Sequence, residues 1–292
     1  MAKLLSGKPV AEALSASLRE RAARLRERGV TPTLALLRIG AREDDLAYER
    51  GLVGRAASVG VEVRRVLLPA ESGEASVRAA LEALNADETV HGVLVFRPFP
   101  AHLRPSEDAL CALLAPEKDV DGMTPASMAG LYSGSGAGFA PCTAEACMEL
   151  LRFYNYDCAG KHAVVIGRSL VIGKPVALLL LAQNATVTVC HTRTRELAAL
   201  SRQADLIVTA AGSPGSLTAA HCSAGQTVLD VSVNLDERTQ RLCGDAEPEA
   251  VAQRVEAITP VPGGVGAVTS AVLMAHVLRA AEKTGREFLT PS

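Results

Sequence analysis

Short apolar runs alternate with amphipathic stretches along nearly the whole chain, and this alternation predicts its secondary structure. Apolar, β-branched runs are typical of strands buried on both faces, whereas apolar residues recurring every three to four positions indicate helices. The runs predict strands at 33–39, 61–68, 92–96, 162–166, 185–190, 206–210 and 227–231. The helical patterns lie at 10–28, 44–59, 74–86, 106–114, 143–153, 176–181 and 270–283. Strands that alternate with helices in this way imply an α/β fold with a mostly parallel sheet.

A stretch rich in glycine and serine, residues 132–141, marks the predicted boundary between two domains. A chain of 292 residues is long enough for two domains of ordinary size. The first predicted domain comprises residues 1–140 and a C-terminal helix within 270–292 that returns to it. The second comprises residues 141–269 and contains the strands predicted from 162 onward.

The clearest chemical signal is a β-α-β unit in residues 161–194 whose first turn is rich in glycine. This turn runs from Gly167 through Arg168 and Ser169 to Gly173, between an apolar strand and an apolar helix. Such a turn directs backbone N–H groups and the positive end of a helix at one point, which suits a pyrophosphate. The spacing departs from the common G-x-G-x-x-G, so the glycines alone fit an ordinary strand–helix turn equally well.

Residues at the end of the second strand of this unit favour NADP over NAD. About twenty residues past a dinucleotide-binding turn, an NAD site normally offers a carboxylate to the ribose hydroxyl. This chain offers hydroxyls and guanidiniums there, and no carboxylate precedes Glu196. Thr192 and Arg193, together with Arg168 of the turn, suit a 2′-phosphate. The alternative is that Arg193 and Arg195 only solvate the start of a helix.

Composition and charge narrow the possible functions. A net charge of −2 and a pI of about 6.3 argue against a nucleic-acid partner. No apolar stretch approaches the roughly 20 residues needed to span a bilayer, and the N-terminus lacks the pattern of a signal peptide. We therefore expect no membrane partner and a cytoplasmic location. Seven cysteines without a Cys-x-x-Cys pair indicate reduced thiols, and no spacing suggests a metal site.

Three further segments are unusually specific. Residues 116–122 (PEKDVDG) form a charged loop, residues 141–143 (PCT) open the second predicted domain, and residues 258–266 (ITPVPGGVG) form a rigid turn. With the glycine turn and the CHT segment at 190–192, these motifs follow one another in order along nearly the whole chain. In this they resemble the bifunctional methylenetetrahydrofolate dehydrogenase/methenyltetrahydrofolate cyclohydrolase family, the FolD-type enzymes of one-carbon metabolism.

The resemblance implies an N-terminal catalytic domain and a C-terminal Rossmann-like NADP-binding domain, with a folate cleft between them. It also implies a homodimer joined through the nucleotide-binding domains. Family members oxidise 5,10-methylenetetrahydrofolate with NADP and then hydrolyse the methenyl product to 10-formyltetrahydrofolate. The implied cofactor-binding residues are Gly167, Arg168, Ser169, Gly173, Thr192, Arg193 and Val233. The implied folate-binding residues are Tyr48, Asp121, Pro262, Gly263 and Gly264.

The chain departs from the family pattern where the hydrolytic step needs its side chains. The family's lysine lies four residues after a tyrosine; Tyr48 matches the tyrosine, but Leu52 stands at the lysine position. Phe96 stands where the family has a glutamine, and Asp45 where it has a serine, whereas the pterin-binding Asp121 is kept. Leucine cannot transfer a proton. We therefore expect an NADP-dependent dehydrogenase whose cyclohydrolase activity is weak or absent.

Two alternatives stay open: a fully bifunctional enzyme in which another group replaces the lysine, and a catalytically silent folate-binding paralogue. Arg97, next to the glutamine position, is an undecided candidate for a charge near the folate, and Arg55 is expected to be a solvated surface residue. In the second predicted domain, Ser232 stands at a family glycine, and residues 244–246 and 267–269 also depart from the pattern. For these we favour neutral change over a loss of NADP binding.

Overall fold

The computed structural model describes residues 2–236 and 240–287, with side chains up to residue 284. These residues form two compact units. The first unit comprises residues 13–142 and 270–287, and the second comprises residues 2–12 and 143–269. Within the described residues, no helix combines the length and the apolar composition that crossing a membrane requires.

The strands and helices follow one another along both units. The strands are β1 (Lys3–Leu4), β2 (Thr33–Ile39), β3 (Glu62–Leu68), β4 (Gly92–Val95), β5 (His162–Ile166), β6 (Thr186–Cys190), β7 (Leu206–Thr209), β8 (Thr227–Asp230), β9 (Asn234–Asp236), β10 (Arg241–Cys243) and β11 (Ala257–Ile258). The α-helices are α1 (Gly7–Glu27), α2 (Glu43–Val59), α3 (Glu74–Ala86), α4 (Glu107–Cys111), α5 (Pro125–Ser133), α6 (Cys142–Phe153), α7 (Gly173–Ala182), α8 (Leu197–Ser201), α9 (Pro248–Ala252) and α10 (Gly266–Glu287). Short 3₁₀ turns lie at Arg104–Ser106 and Ala219–His221.

The first unit is built on a parallel three-stranded sheet in the order β3–β2–β4. Every residue of the central strand β2 is buried, as its continuous apolar run predicts. The register pairs Leu34 of β2 with Val63 on one side and with Gly92 on the other. One large core cluster joins this sheet to α3 and α4, with Leu37, Val77, Leu81, Val93, Phe99 and Leu110 among its buried members.

The second unit contains a parallel six-stranded sheet in the order β1–β11–β8–β7–β5–β6, and a separate antiparallel pair of β9 and β10. From β5 the chain passes to β6 on one side, and it later returns to place β7 on the other side. The carboxyl ends of β5 and β7 therefore form a topological switch point, which is where open α/β sheets bind their ligands. Buried residues of the core include Val164, Ile207, Leu217, Val228 and Val251.

The predicted α/β class with two domains and a parallel sheet is confirmed, and the strands predicted at 33–39 and 162–166 have those bounds. Residues 2–12 differ from the predicted division, because β1 pairs with β11 and so joins them to the second unit. The helix predicted at 106–114 is shorter, because Pro105 lies in a 3₁₀ turn and α4 ends at Cys111. Residues 288–292 of the predicted returning segment lie outside the described residues.

Candidate functional site

The charged loop at residues 116–122 is held by several different elements of the first unit. The ammonium of Lys118 donates to three backbone carbonyls at the end of α3, at 2.7 to 2.8 Å. The buried carboxylate of Asp119 accepts three hydrogen bonds around the start of α5, at 2.6 to 3.1 Å. Gly122 has φ +68°, and a side chain there would collide with the backbone at Ala140. The loop therefore presents Asp121 from a fixed backbone.

The peptide that precedes Asp121 is fixed from two further directions. The carbonyl of Val120 accepts hydrogen bonds from Nδ1 of His276 at 2.8 Å and from the thiol of Cys142 at 3.3 Å. Burial raises the pKa of Asp121 to about 6, against the opposing positive charge of Arg97 and a hydrogen bond with Cys142. Asp121 is thus a carboxylate that titrates close to neutral pH.

Tyr48 lies on α2 and belongs to the same group of side chains. Its ring packs edge-on against Phe96, with 5.9 Å between the ring centroids and 66° between the planes, and the residue is 48 % exposed. Partial burial and the negative charge of Asp121 raise the pKa of the Tyr48 hydroxyl. The phenol therefore stays protonated and can donate a hydrogen bond at neutral pH.

Buried apolar side chains occupy the two positions that the resemblance assigns to a lysine and a glutamine. Leu52 is 1 % exposed and Phe96 is 6 % exposed. Leu52 lies on the buried face of α2, whereas Tyr48, one turn earlier, is half exposed. Because the two residues share a helix face, similar exposure would be expected, but the side chain at position 52 lies in the interior. An apolar residue such as leucine suits that environment.

An ion cluster that was not predicted anchors α2 to the sheet, and two of its members, Arg38 and Glu49, are buried. Glu49, directly after Tyr48, accepts a hydrogen bond from Nε of Arg38 at 3.0 Å and another from Nε of Arg65 at 2.6 Å. Burial raises the pKa of Glu49 and the two guanidiniums lower it, and the guanidiniums prevail. In the sequence, Arg38 could have indicated this cluster, because a lone charge within a strand buried on both faces requires a buried partner.

Two more polar residues near this group hold backbone or helices in place. Asp45, at the family's serine position, accepts two hydrogen bonds from Arg42 at 2.7 and 2.8 Å, and Arg42 also donates to the carbonyl of Arg97 at 3.3 Å. Arg55, expected to be merely solvated, donates to the hydroxyls of Ser15 and Ser270 at 3.3 Å each. Arg55 thereby links α2 to α1 and α10.

The glycine turn of the second unit lies at the topological switch point. Gly167 has φ +126°, and a side chain there would collide with the carbonyl of Ala210 at the end of the neighbouring strand. A side chain at Gly173 would likewise overlap with the carbonyl of Gly167. The hydroxyl of Ser169 accepts hydrogen bonds from the first backbone N–H groups of α7, Ile172 at 3.1 Å and Gly173 at 3.4 Å. The turn is compact, and the positive end of α7 lies within it.

The segment after β6 adds the hydroxyls and cations predicted from the sequence. Thr192 and Arg193 are exposed, and Nδ1 of His191 accepts the backbone N–H of Arg193 at 3.1 Å. Within the part of the chain that the structure describes, the guanidiniums of Arg168, Arg193 and Arg195 form no ion pair. This donor set fits a phosphorylated dinucleotide, because the cations are available to an incoming phosphate.

The proline–glycine turn of the second unit borders a cavity of about 360 Å³. Pro262, Gly263 and Gly264 line this cavity together with Val233, so the structure brings the predicted folate-binding turn next to a residue predicted separately for the cofactor. Gly7 fixes the turn, since its backbone N–H donates to the carbonyl of Gly263 at 2.8 Å and a side chain at Gly7 would collide with Gly264.

Comparison with known proteins identifies the family. The sequence profile described as "Tetrahydrofolate dehydrogenase/cyclohydrolase, catalytic domain" matches residues 5–121, and the profile of that family's NAD(P)-binding domain matches residues 141–285. The chain belongs to the tetrahydrofolate dehydrogenase/cyclohydrolase family. The family predicted from the sequence motifs is therefore confirmed.

Relatives in this family match the chain over almost its whole length. It is 43% identical to the "Bifunctional protein FolD" of Alkaliphilus oremlandii over 280 residues, which are 96% of this chain and 97% of that one. Against the protein of the same name from Carboxydothermus hydrogenoformans it is 43% identical over 283 residues, covering 97% of this chain and 98% of the relative.

Solved structures of FolD proteins have the same fold. The bifunctional FolD of Campylobacter jejuni superposes with a TM-score of 0.92 at 35% identity, covering 97% of this chain and 99% of that one. The Trypanosoma brucei FolD, solved with NADP and an inhibitor, gives a TM-score of 0.88 at 34% identity, covering 98% and 99%.

A network of buried carboxylates in this family member was not predicted. Asp245 is fully buried and accepts five hydrogen bonds of 2.6 to 3.2 Å from β7, the loop after it, and the segment after β8. Asp230 accepts the backbone N–H groups of Asp245 and Ala246 at 3.1 and 2.8 Å, and burial raises the pKa of Asp230 to about 6. The hydrogen-bond partners of these carboxylates are far apart in sequence, so no local sequence motif predicts the network.

The remaining titratable side chains give no sign of a metal centre. Among the described residues, no group of three or more His, Cys, Asp or Glu side chains is arranged to hold a metal ion. All seven cysteines lie in the described part of the chain, and no disulfide forms between them.

Proposed function

We propose that this chain is an NADP-dependent 5,10-methylenetetrahydrofolate dehydrogenase that lacks the family's lysine-dependent cyclohydrolase step. One observation carries the proposal. The position four residues after Tyr48 is a buried leucine, Leu52, and the family's glutamine position is a buried phenylalanine packed against that tyrosine. The dehydrogenase step can operate with these side chains, and the cyclohydrolase step by the family mechanism cannot.

The dehydrogenase step requires the protein to position the two reactants. The methylene carbon of the substrate lies between two nitrogens, and loss of a hydride leaves a cation delocalised over both. When bound, NADP would supply the hydride acceptor, and the chain's own residues would bind and orient the reactants. We propose that Asp121, as a carboxylate, accepts hydrogen bonds from the pterin N–H groups, and that the protonated phenol of Tyr48 donates to the folate.

The cyclohydrolase step also requires a group that transfers protons. Water must attack the methenyl carbon, and a positioned acid–base group must move protons. Leu52 and Phe96 have no such group, and Arg97 is an unsuitable base because arginine stays protonated. Replacing both members of a polar pair by apolar residues also leaves no unsatisfied buried group behind. The two substitutions are therefore compatible with a stable protein that has lost one activity.

The second unit supplies the proposed cofactor site. We propose that the glycine turn and the N-terminus of α7 hold the pyrophosphate, and that Arg168, Thr192 and Arg193 bind the 2′-phosphate. These exposed guanidiniums form no ion pair within the described residues, which supports this assignment, as does the NADP bound in the Trypanosoma brucei relative. Val233 and the proline–glycine turn would border the nicotinamide end.

We also propose that two copies of the chain associate through the second unit. β6 lies at the edge of the six-stranded sheet, so one side of this strand is unpaired within the described residues. Val189 of β6 is 40 % exposed, and Leu181 of the preceding helix is 59 % exposed. An apolar edge strand is a ready site for self-association, and a lysine on its exposed side opposes it. Sedimentation velocity should therefore give a dimer for the unmodified protein and a monomer for Val189→Lys.

One assay with two readouts tests the proposed reaction. Purified protein receives methylenetetrahydrofolate with NADP, and separately with NAD, while reduced cofactor and methenyltetrahydrofolate are followed together. We expect reduced cofactor with NADP, and methenyl product that accumulates and decays no faster than in buffer alone. Absence of reduced cofactor with either nucleotide would leave the silent paralogue as the better explanation.

The fully bifunctional enzyme is the second candidate, favoured by the name that the relatives carry. Catalysed decay of the methenyl product would support it and would mean that another group replaces the lysine. Arg97 would then be substituted first, because its charge already acts on Asp121. Loss of the catalysed decay in Arg97→Leu, with dehydrogenase activity retained, would assign the hydrolytic role to that side chain.

A further inference from the structure

Ser232, which stands at a family glycine, has a hydroxyl that does not face the nucleotide cavity. Its neighbours Val231 and Val233 line the cavity, whereas Ser232 is buried beside it. The hydroxyl donates to the carboxylate of Asp245 at 2.8 Å and accepts the backbone N–H of Gly212 at 3.1 Å. The added side chain therefore fills a bridging position, and its two hydrogen bonds fasten the loop after β7 to the segment after β8.

Asp245 extends this connection to the rest of the loop. Besides Ser232, its carboxylate accepts the hydroxyl of Thr209 at 3.0 Å and the backbone N–H groups of Ala211 at 2.6 Å and Ser213 at 2.8 Å. The amide of Gly212 lies between these two backbone donors and is the one that Ser232 holds. Three consecutive N–H groups of the loop at residues 211–213 are thus held by two side chains.

This loop touches the glycine turn that the proposed function assigns to the pyrophosphate. The backbone N–H of Ala210 donates to the carbonyl of Ile166 at 2.7 Å, and the carbonyl of Ala210 occupies the space that a side chain on Gly167 would need. The two loops are packed together at the carboxyl ends of β5 and β7. A shift of residues 211–213 would therefore be transmitted to the backbone that faces the dinucleotide.

We propose that Ser232 is a positioning residue that holds the loop at residues 211–213 against Asp245 and so pre-organises the neighbouring nucleotide turn for NADP. The inference rests on the proposed function for the identity of the ligand. A group held in place before binding need not be ordered during it, so the hydroxyl acts mainly on cofactor affinity. It touches neither the folate nor the reacting atoms in this proposal, and the rate at saturating cofactor should change little.

The test compares Ser232→Ala and Ser232→Gly with a matched control, Ser216→Ala. The hydroxyl of Ser216 is also buried and close to the loop in sequence, but it has no hydrogen-bond partner among the described residues. We would measure the dissociation constant of NADPH by fluorescence titration, hydrogen exchange of the peptide covering 207–217 without ligand, and kcat and KM for NADP.

We expect both Ser232 variants to bind NADPH roughly tenfold more weakly, as loss of one or two buried hydrogen bonds implies, with kcat within about twofold of the unmodified protein. Exchange at residues 211–213 should accelerate in both, and Ser216→Ala should match the unmodified protein in every readout. Unchanged affinity and unchanged exchange in the Ser232 variants would overturn the inference. Failure of the unmodified protein to bind NADPH would instead refute the proposed function, while the exchange data would still decide whether the hydroxyl holds the loop.

Discussion

The two units depart from the family pattern in opposite directions. In the first unit Leu52 and Phe96, at the positions that the resemblance assigns to a polar pair, are both buried. In the second unit a glycine has become Ser232, whose hydroxyl has both a donor and an acceptor as partners. Neither change leaves a buried polar group unsatisfied, which is the outcome that would cost stability. The comparison teaches that apolar side chains in one unit and an added hydroxyl in the other can both be accommodated without leaving a buried polar group unsatisfied.

The largest expected effect comes from introducing a charge at position 52 of the first unit. Leu52→Lys places an ammonium at a position that is 1 % exposed, so we expect the free energy of unfolding to fall by roughly 3 kcal/mol. Adding Phe96→Gln supplies a carbonyl acceptor and should recover part of that loss. Urea denaturation measures both values, and Leu52→Met, which keeps the volume, should cost less than about 1.5 kcal/mol. A Leu52→Lys protein as stable as the parent would contradict our account of this site.

The double variant also tests the assignment of the hydrolytic step. If the family mechanism needs only the lysine and the glutamine, the combined Leu52→Lys and Phe96→Gln protein should hydrolyse methenyltetrahydrofolate faster than buffer does. Each single variant should remain inactive in that assay. Activity in Phe96→Gln alone would show that proton transfer does not depend on position 52.

The glycine turn of the second unit should respond to a single methyl group. Gly167→Ala puts a side chain at φ +126° and into the carbonyl of Ala210, so we expect a loss of about 2 kcal/mol in stability and weakened NADPH binding. Gly54→Ala in α2 is the contrasting change, because nothing lies within 4 Å of the added methyl and the helix should gain roughly 0.5–1 kcal/mol. Thermal unfolding compares the two, and equal effects would argue against the turn being tightly packed.

The pH dependence of folate binding should follow Asp121. Burial raises the pKa of Asp121 from 3.8 to about 6, so the carboxylate that we propose accepts the pterin hydrogen bonds forms only as the pH rises through that value. We expect the KM for methylenetetrahydrofolate to rise about tenfold between pH 7 and pH 5, since one pH unit below the pKa leaves roughly a tenth of the groups ionised. Asp121→Asn should have a high KM with a flat profile. A steep profile in that variant would assign the titration to another group.

Ionisation of the Asp121 carboxyl should also change the free energy of unfolding. A carboxyl whose pKa is raised on folding binds its proton more tightly in the folded state than in the unfolded state. Its contribution to stability is therefore present at low pH and is lost as the pH rises through about 6. Asp121→Asn should remove that part of the pH dependence in denaturant titrations at pH 5 and pH 7.

The smallest expected effect concerns the choice between NADP and NAD. Arg193→Ala removes an exposed cation that solvent already screens, so we expect the preference for NADP, measured as a ratio of kcat/KM values, to fall roughly fivefold. Arg152→Ala removes an exposed cation of the same unit that pairs with Glu149, and it should leave the ratio unchanged. Equal ratios in both variants would favour the simpler interpretation, in which Arg193 only solvates the start of a helix.

Local sequence patterns predicted most of the helices and strands, because the long ones have a recognisable apolar periodicity. Gly60, in the left-handed conformation, ends α2 where the pattern places the end of that helix. The two-residue strands β1 and β11 have no periodicity to detect, so the position of residues 2–12 emerged only from their pairing. α5 was missed because the sequence around it is dominated by the glycines that follow.

The candidate site was predictable where a motif carries it and unpredictable where distant residues meet. The resemblance pointed to Tyr48 and Asp121, and the negative charge of Asp121 contributes to the raised pKa of Tyr48. The cluster of Arg38, Glu49 and Arg65 was not foreseen, since it joins two strands and a helix. The contacts of Asp245 were missed for the same reason. Their specificity arises from the tertiary fold, which a single sequence does not encode in any short window.

The anchoring of the loop at residues 116–122 has a thermodynamic consequence. Lys118 and Asp119 tie it to two helices, so the loop is ordered before any folate arrives. Binding should then involve no local folding, and its heat-capacity change should scale with the surface of the pterin alone. Calorimetric titrations at several temperatures would accordingly give a shallow dependence of enthalpy on temperature. Lys118→Met, which frees the end of α3, should make that dependence steeper.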